Sequence, residues 1–385
     1  MDFDKHIERS GTFSAKWDRF PEPGNLPMWV ADMDFAAAPC IQEAINKRAM
    51  HGIFGYTAVP ESYYSAIIEW YARRYDTQIE ADWVVPVTGV VPALSAIVGA
   101  LSESGDGVIV QSPVYHCFFS SIKNMGREVL ENKLVNVDGR YEIDFDAFEQ
   151  LASQARTKLF VLCHPHNPVG RIWSEDELVR LGEICLRHGV VVVSDEIHCD
   201  LVFNGSRHVP FSTIRPEFLA NSVTCQSPSK TFNIAGLQVA NIIVADSTLR
   251  NKVAAAVARH EIGSINPFGV DALIAAYQQG DVWLEELKDY LWQNYLYTRD
   301  FLEKNLPNVT VTPLEATYLV WVDCRRLGLD CSELDARLKV QGVILNMGNM
   351  YGDSGDGFIR VNVACPKSLL VDGLNRIHVA LSGLA

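Results

Sequence analysis

The sequence predicts an α/β protein: a large domain on a mostly parallel sheet between helices, plus a smaller α+β domain. Three observations carry this. Short unbroken apolar runs alternate with amphipathic helical stretches through the middle of the chain. Those runs lack polar alternation, as strands buried on both faces do. The chain has 385 residues, more than one ordinary core holds.

Taken in order, 1–38 is rich in Pro, Gly and aromatics with weak periodicity, and reads as an extended arm packed on something else. Helical patterning follows at 40–51 and 61–75. Next come a helix at 92–101, a strand at 107–111 (GVIVQ) and a strand at 158–163 (KLFVLC). A helix at 175–188 carries Leu178, Leu181, Ile184 and Cys185 on one face, with Gly189 as its C-cap. Strands follow at 190–194 (VVVVS), 222–226 (SVTCQ) and 238–244 (QVANIIV). From about Asp281 the texture changes. A long helix, 281–306, ends at Pro307, and strands are expected at 317–322, 343–345 and 357–363. The expected division is an arm at 1–45 that joins the small domain, a large domain at 46–280 and a small domain at 281–385.

Net charge is −14, which disfavours nucleic acid and anionic membranes as partners. The first residues have no apolar core of signal-peptide length. No run approaches the ~18 apolar residues of a membrane span. Nine cysteines are scattered without a C-x-x-C pair, as expected of reduced core residues in a cytoplasmic protein. Their spacing, and the isolated pair His164/His166, give no metal signal.

Ligands of such sheets bind outside the carboxyl ends of the strands. Each strand end here presents a distinct group. Tyr115 follows GVIVQ, Asn167 follows KLFVLC, Asp195 and His198 follow VVVVS, and Ser227 and Lys230 follow SVTCQ. Taken singly, these are ordinary residues: Asp195 an N-cap, Asn167 a turn residue, Tyr115 a core-edge aromatic, Lys230 a solvated charge. Together they fit one cofactor, pyridoxal 5′-phosphate. A lysine amine forms a Schiff base with an aldehyde, and a carboxylate keeps a pyridine nitrogen protonated. An amide bonds a phenolic oxygen, and an aromatic ring stacks on the pyridine face. At TGVVPAL (88–94), Thr88 and Gly89 end an extended segment and a helix begins, which suits a phosphate.

The motifs HNPVG (166–170), SDEIH (194–198) and SPSKTFNIAGLQ (227–238) resemble those of the pyridoxal-phosphate enzymes of fold type I, the aminotransferase class I and II superfamily. LPMWVADMDF (26–35), GIFGYT (52–57), TGVVPAL and SDEIHCDLVF (194–203) are similar to the cystathionine β-lyase, or C–S lyase, group within it. The resemblance spans nearly the whole chain. It implies a seven-stranded sheet, Lys230 as Schiff-base lysine and proton shuttle, Asp195 on the pyridinium nitrogen, Asn167 on the phenolic oxygen and Tyr115 stacked on the ring. Gly89, Val90 and Val91 would offer N–H groups to the phosphate, helped by Ser227. Tyr56 would reach it from the partner subunit of a homodimer. Arg360, in GFIRVNVACP (357–366), would grip the substrate carboxylate with its guanidinium fork. Asn167, Ala31 and Trp29 would complete the substrate site. Candidates for the pocket that takes the substrate side chain are Trp29, Asp32, Tyr318 and Met347, which depend on the tertiary fold and on the partner subunit.

Two departures from the aminotransferases stand out. Gln238 occupies the position, eight residues after the lysine, where many carry a phosphate-binding arginine; His198 stands where they usually carry tyrosine. His198 would either bond the ring oxygen or pack beneath it. The resemblance implies α,β-elimination from L-cystathionine, L-cysteine or cysteine S-conjugates, giving a thiol or hydrogen sulfide, pyruvate and ammonia. An aminotransferase is the alternative within the superfamily. A regulatory protein that binds a transcription factor is the alternative from another class.

Overall fold

The computed structural model describes residues 1–383. Its seven-stranded sheet consists of β1 (Val84–Val87), β2 (Gly107–Val110), β3 (Glu128–Glu131), β4 (Thr157–Cys163), β5 (Val191–Asp195), β6 (Ser222–Gln226) and β7 (Ala240–Ile243). The spatial order is β1-β7-β6-β5-β4-β2-β3. Strands β2 to β6 pair in parallel, while β7 runs antiparallel to both β1 and β6. The sheet is therefore mostly parallel, as the unbroken apolar runs require. The exception has a local cause. Between β6 and β7 lie only the one-turn helix Pro228–Thr231 and the turn Ala235–Leu237, with no long crossover helix to return the chain to the other end of the sheet.

Two expected strands are shorter than their apolar runs. β7 begins at Ala240 because Gln238 has φ 51°, and the strand expected from 317 begins at Leu319 because Thr317 has φ 70°. A left-handed residue cannot continue a strand. The helix Glu175–His188 has the expected limits, with a Ser174/Glu177 capping box and Gly189 left-handed at its end.

After helix Asp281–Asn305 comes a four-stranded antiparallel sheet of β8 (Thr310–Val311), β9 (Leu319–Asp323), β10 (Asn346–Met347) and β11 (Phe358–Asn362), ordered β8-β9-β11-β10. In the arm, Leu26–Pro27 pairs in parallel with Val343–Ile344. Helix Pro39–His51 runs through position 45, the expected boundary, and packs on helix Pro267–Gln279.

The arm has little regular structure, so side chains hold it. Lys16, 1% exposed, donates to Asp34 at 2.7 Å. Arg9 bonds Asp34 at 2.6 Å and Asp32 at 2.8 Å, and the Trp17 indole donates to Asp34 at 2.9 Å. Burial alone would raise the Asp34 carboxyl, but Lys16, Trp17 and Arg9 more than offset this and hold it below its ordinary value. Removing one partner of a buried pair leaves the other uncompensated, at a cost of about 3–5 kcal/mol. Asp34→Ala is therefore expected to lower the thermal midpoint clearly. A depressed carboxyl stabilises the fold above its unfolded pKa, about 4. That contribution is lost as pH falls through the folded value. Midpoints measured from pH 7 to pH 3 should converge for parent and variant. Equal midpoints at pH 7 would remove the ion cluster from the account of the arm.

Candidate active site

The carboxyl ends of β2, β4, β5 and β6 open into a cavity of about 340 Å³, closed on the far side by the arm and by β11. Asp195 is the last residue of β5, in register with Cys163 of β4 and Cys225 of β6. Lys230 lies in the short helix after β6. Tyr115, Asn167, His198, Ser227, Gly89, Val90, Val91, Trp29, Ala31 and Arg360 also line the cavity. Residues far apart in sequence thus converge on one space.

The lysine amine donates to the Ala31 carbonyl at 2.7 Å, and the Tyr318 hydroxyl donates to the same oxygen at 3.0 Å. Arg360 is buried. It donates from Nη1 to Asn167 Oδ1 at 2.9 Å and from Nη2 to the Trp29 carbonyl at 2.8 Å, while its Nε is buried without a partner among the described residues. Its guanidinium lies 5.1 Å from the Tyr351 ring centroid.

Burial sets the proton affinities. It lifts the Asp195 carboxyl to about 7, although the Ile197 N–H opposes this; neighbouring Glu196 adds to the rise and Lys230 opposes it. It lowers the Lys230 amine to about 8, with Asp32 and Asp195 opposing and Arg360 assisting. His198 is pushed down to about 3 by burial and by the cations Lys230 and Arg360, so its ring is neutral at any working pH. His198 Nδ1 is buried without a partner among the described residues, and its ring is edge-on to Tyr318, 6.0 Å between centroids.

The helix Val90–Leu101 points its first turn at the cavity. Gly89 is its N-cap and supplies no side-chain cap, so the leading N–H groups meet no carboxylate or hydroxyl among the described residues. Gly89 has φ 173°, extended backbone open to any residue, and a Cβ there would meet only Pro92 at 3.4 Å. Left-handed geometry is thus not why glycine stands here. An uncapped helix start, a lysine amine, a buried carboxylate, an amide and an aromatic ring around one cavity form a donor set that fits pyridoxal phosphate.

Tyr56, expected in the partner subunit's site, is fully exposed in the irregular stretch between helices Pro39–His51 and Glu61–Tyr75 and lines no part of its own chain's cavity. Three candidate pocket residues stand outside the cavity wall. Asp32 is outside the cavity wall because its carboxylate turns to Arg9 and Lys16. Met347 is also outside: successive strand residues face opposite sides, and its neighbour Asn346 faces the cavity instead. Tyr318 stands behind the wall and acts on Ala31 through its hydroxyl. Ser227 does line the cavity, but its hydroxyl donates to the Val239 carbonyl at 2.6 Å and accepts from the Ser229 N–H at 3.0 Å, which commits its proton.

The cavity also holds residues that sequence reasoning passed over: Ser229, His116, Ile197 and Asn346. Ser229 and His116 adjoin Lys230 and Tyr115, so adjacency to a strand-end residue was the signal available. Asn346 has no such marker. Gln238 lines the wall as well, putting an amide where a cation was the alternative. Among the described residues no group of three His, Cys, Asp or Glu gathers to hold a metal ion.

Comparison with known proteins adds an independent line. The model of the family "Aminotransferase class I and II" matches residues 28–377. The chain is 46% identical to cystathionine beta-lyase PatB of Bacillus subtilis, over 99% of this chain and 100% of that one. It is 36% identical to protein MalY of Escherichia coli, with 97% of each chain covered. Among solved structures, cystalysin from Treponema denticola, which contains a pyridoxal 5′-phosphate cofactor, superposes with TM-score 0.97 at 35% identity, covering 100% of this chain and 99% of that one. The chain belongs to the aminotransferase class I and II family, in its cystathionine β-lyase group.

Proposed function

We propose that this protein is a pyridoxal-phosphate-dependent carbon–sulfur β-lyase. It acts on L-cystathionine, L-cysteine or cysteine S-conjugates and yields a thiol or hydrogen sulfide, pyruvate and ammonia. The observation that carries the proposal is the joint placement of Lys230, Asp195, Asn167 and Arg360 around one cavity, in a chain whose close relatives are named cystathionine β-lyases.

Bound pyridoxal phosphate supplies an electron sink for the charge left when a proton departs from the substrate Cα. The chain's own groups do the rest. Lys230 Nζ would hold the cofactor and, as a free amine, would take the substrate Cα proton. Its amine, lowered to about 8, has a useful neutral fraction near neutrality. Asp195, ionised, would keep the ring nitrogen protonated. Asn167 would hold the phenolic oxygen, Tyr115 would cover the ring face, and the N–H groups of Gly89, Val90 and Val91 would receive the phosphate. Arg360 receives the substrate carboxylate, with its unpartnered Nε as a ready donor. Gln238, neutral and on the wall, supports the lyase reading over the aminotransferase one.

A homodimer and a cytoplasmic location belong to the same proposal. Tyr56 is exposed together with Met50, Ile53 and Phe54, a patch suited to a second copy of the chain. The nine cysteines are all unpaired thiols, as a reducing compartment favours. No helix among the described residues is long and apolar enough to cross a membrane.

Purified enzyme given L-cystathionine and no oxoacid should release pyruvate. Transfer that requires an oxoacid, with no pyruvate formed, would give the site to the aminotransferase alternative. Lys230→Ala should lose the visible absorbance of lysine-linked cofactor, and its retention would sink the Lys230 assignment. Cofactor uptake by the stripped protein should strengthen as pH rises through about 7 and then about 8, because Asp195 gains its charge and Lys230 loses its proton in that order. Asp195→Asn should weaken uptake and remove the limb near 7; titration of cofactor fluorescence reads both. Tyr56→Ala mixed with Lys230→Ala should regain activity, up to about a quarter of the parent level, if each site borrows Tyr56 from its partner. Two inactive variants that stay inactive after subunit exchange would refute the shared site.

A further inference from the structure

The reacting lysine stands in a very small element. Its helix, Pro228–Thr231, has four residues, and so short a helix has almost no stability of its own. Its neighbours must hold it. On the leading side Ser227 caps it, accepting from the Ser229 N–H at 3.0 Å and donating to the Val239 carbonyl at 2.6 Å. On the trailing side stands Thr231, fully buried. Successive helical residues project about 100° apart, so Lys230 turns to the cavity while Thr231 turns into the core.

In the core the Thr231 hydroxyl donates to Asp200 Oδ2 at 2.9 Å. Asp200 Oδ1 accepts from the Trp70 indole at 3.1 Å and from the Tyr75 hydroxyl, both on helix Glu61–Tyr75. Asp200 is 2% exposed, and all three of its donors are neutral. Arg74 lies close enough to feel its charge but is bonded to Glu285 at 2.6 Å. Aspartates are rarely so buried without a paired cation, because their desolvation is costly. The support beneath Asp200 is itself fixed. Trp70 stacks on Tyr277, 4.8 Å between centroids, and the Tyr277 hydroxyl accepts from Gln226, the last residue of β6. The strand end that enters the lysine turn and the residue that closes it thus rest on the same pair of aromatic rings. We propose that Asp200 is a positioning residue for the reacting lysine: through Thr231 it fixes the turn that carries Lys230, so that Nζ meets the cofactor and the substrate Cα in one place. The inference rests on the role given to Lys230 above and is independent of the leaving group.

The test takes two readouts on each holoenzyme. One is the visible circular dichroism of the lysine-linked cofactor at matched absorbance, which reports how firmly the chain orients it. The other is kcat and KM for pyruvate release from L-cystathionine. Thr231→Val keeps the shape of the side chain and removes the hydroxyl. It should lose dichroic amplitude and lower kcat about tenfold or more, with KM within about twofold, because a slightly misplaced reacting group costs rate rather than binding. Thr231→Ser restores the hydroxyl and should recover both readouts. Tyr75→Phe removes a bond from the same carboxylate, away from the lysine turn, and should stay near the parent in both. A purely structural role would make Thr231→Val and Tyr75→Phe alike. Three results would overturn the proposal: parent dichroism and kcat in a folded Thr231→Val protein; Thr231→Ser as impaired as Thr231→Val; or equal losses in Tyr75→Phe. A parent enzyme that releases no pyruvate would end the lyase reading alone, since the dichroism of the same variants still decides for or against the anchor.

Discussion

The site depends on holding an irregular stretch of chain, 29–35, half-buried at its start and buried from Met33 on. Such a stretch has no strand partner for its carbonyls, and a buried carbonyl must be bonded. Side chains supply the donors. Arg360 and Asn346 bond Trp29, Asn362 bonds Val30 and Asp32, and Lys230 and Tyr318 bond Ala31. Asn233 bonds Met33 and Phe35, while Arg9 bonds Met33. The Lys230–Ala31 bond alone joins residues 199 apart. Without this lattice the cofactor cavity would lose one wall and Arg360 one of its anchors.

Electrostatics and packing act together here. The chain is strongly acidic overall, yet the cavity collects two cations, Lys230 and Arg360, and the carboxylate Asp195, whose pKa burial raises. Net charge describes the surface that solvent screens, whereas the cavity answers to its own few groups. The same burial that raises Asp195 lowers Lys230, bringing an acid and a base within about one pH unit of each other near neutrality. Proton-transfer chemistry at neutral pH is served by such a pair.

The parallel core was legible because strands buried on both faces read as unbroken apolar runs, and helices between them read by their period. The strand-end residues followed, since a parallel sheet gathers its carboxyl ends on one side. The direction of β7 was not legible: apolar content says that a strand exists and nothing of which way it runs. The side to which Asp32 and Met347 turn was not legible for a related reason. Each adjoins a residue that does line the cavity, and a rotation of one residue about the backbone exchanges inside for outside. Asn346 left no trace in the sequence because its place depends on a long-range pairing with β11. The bonds of Ser227 are likewise tertiary, since its acceptor lies at the start of the next strand segment.

The hold on 29–35 has a consequence for how such a protein can diversify. The bonds that Trp29, Val30 and Ala31 accept all end on main-chain oxygens, and a main-chain oxygen is the same for every residue type, whereas Asp32 and Asp34 are also held by their carboxylates. Trp29 and Ala31 can therefore be exchanged for other side chains while the clamp stays closed. Their surfaces change the shape offered to a substrate, and the clamp keeps that new shape in place. Architecture and selectivity are written in different atoms of the same residues, so one can drift while the other stands still.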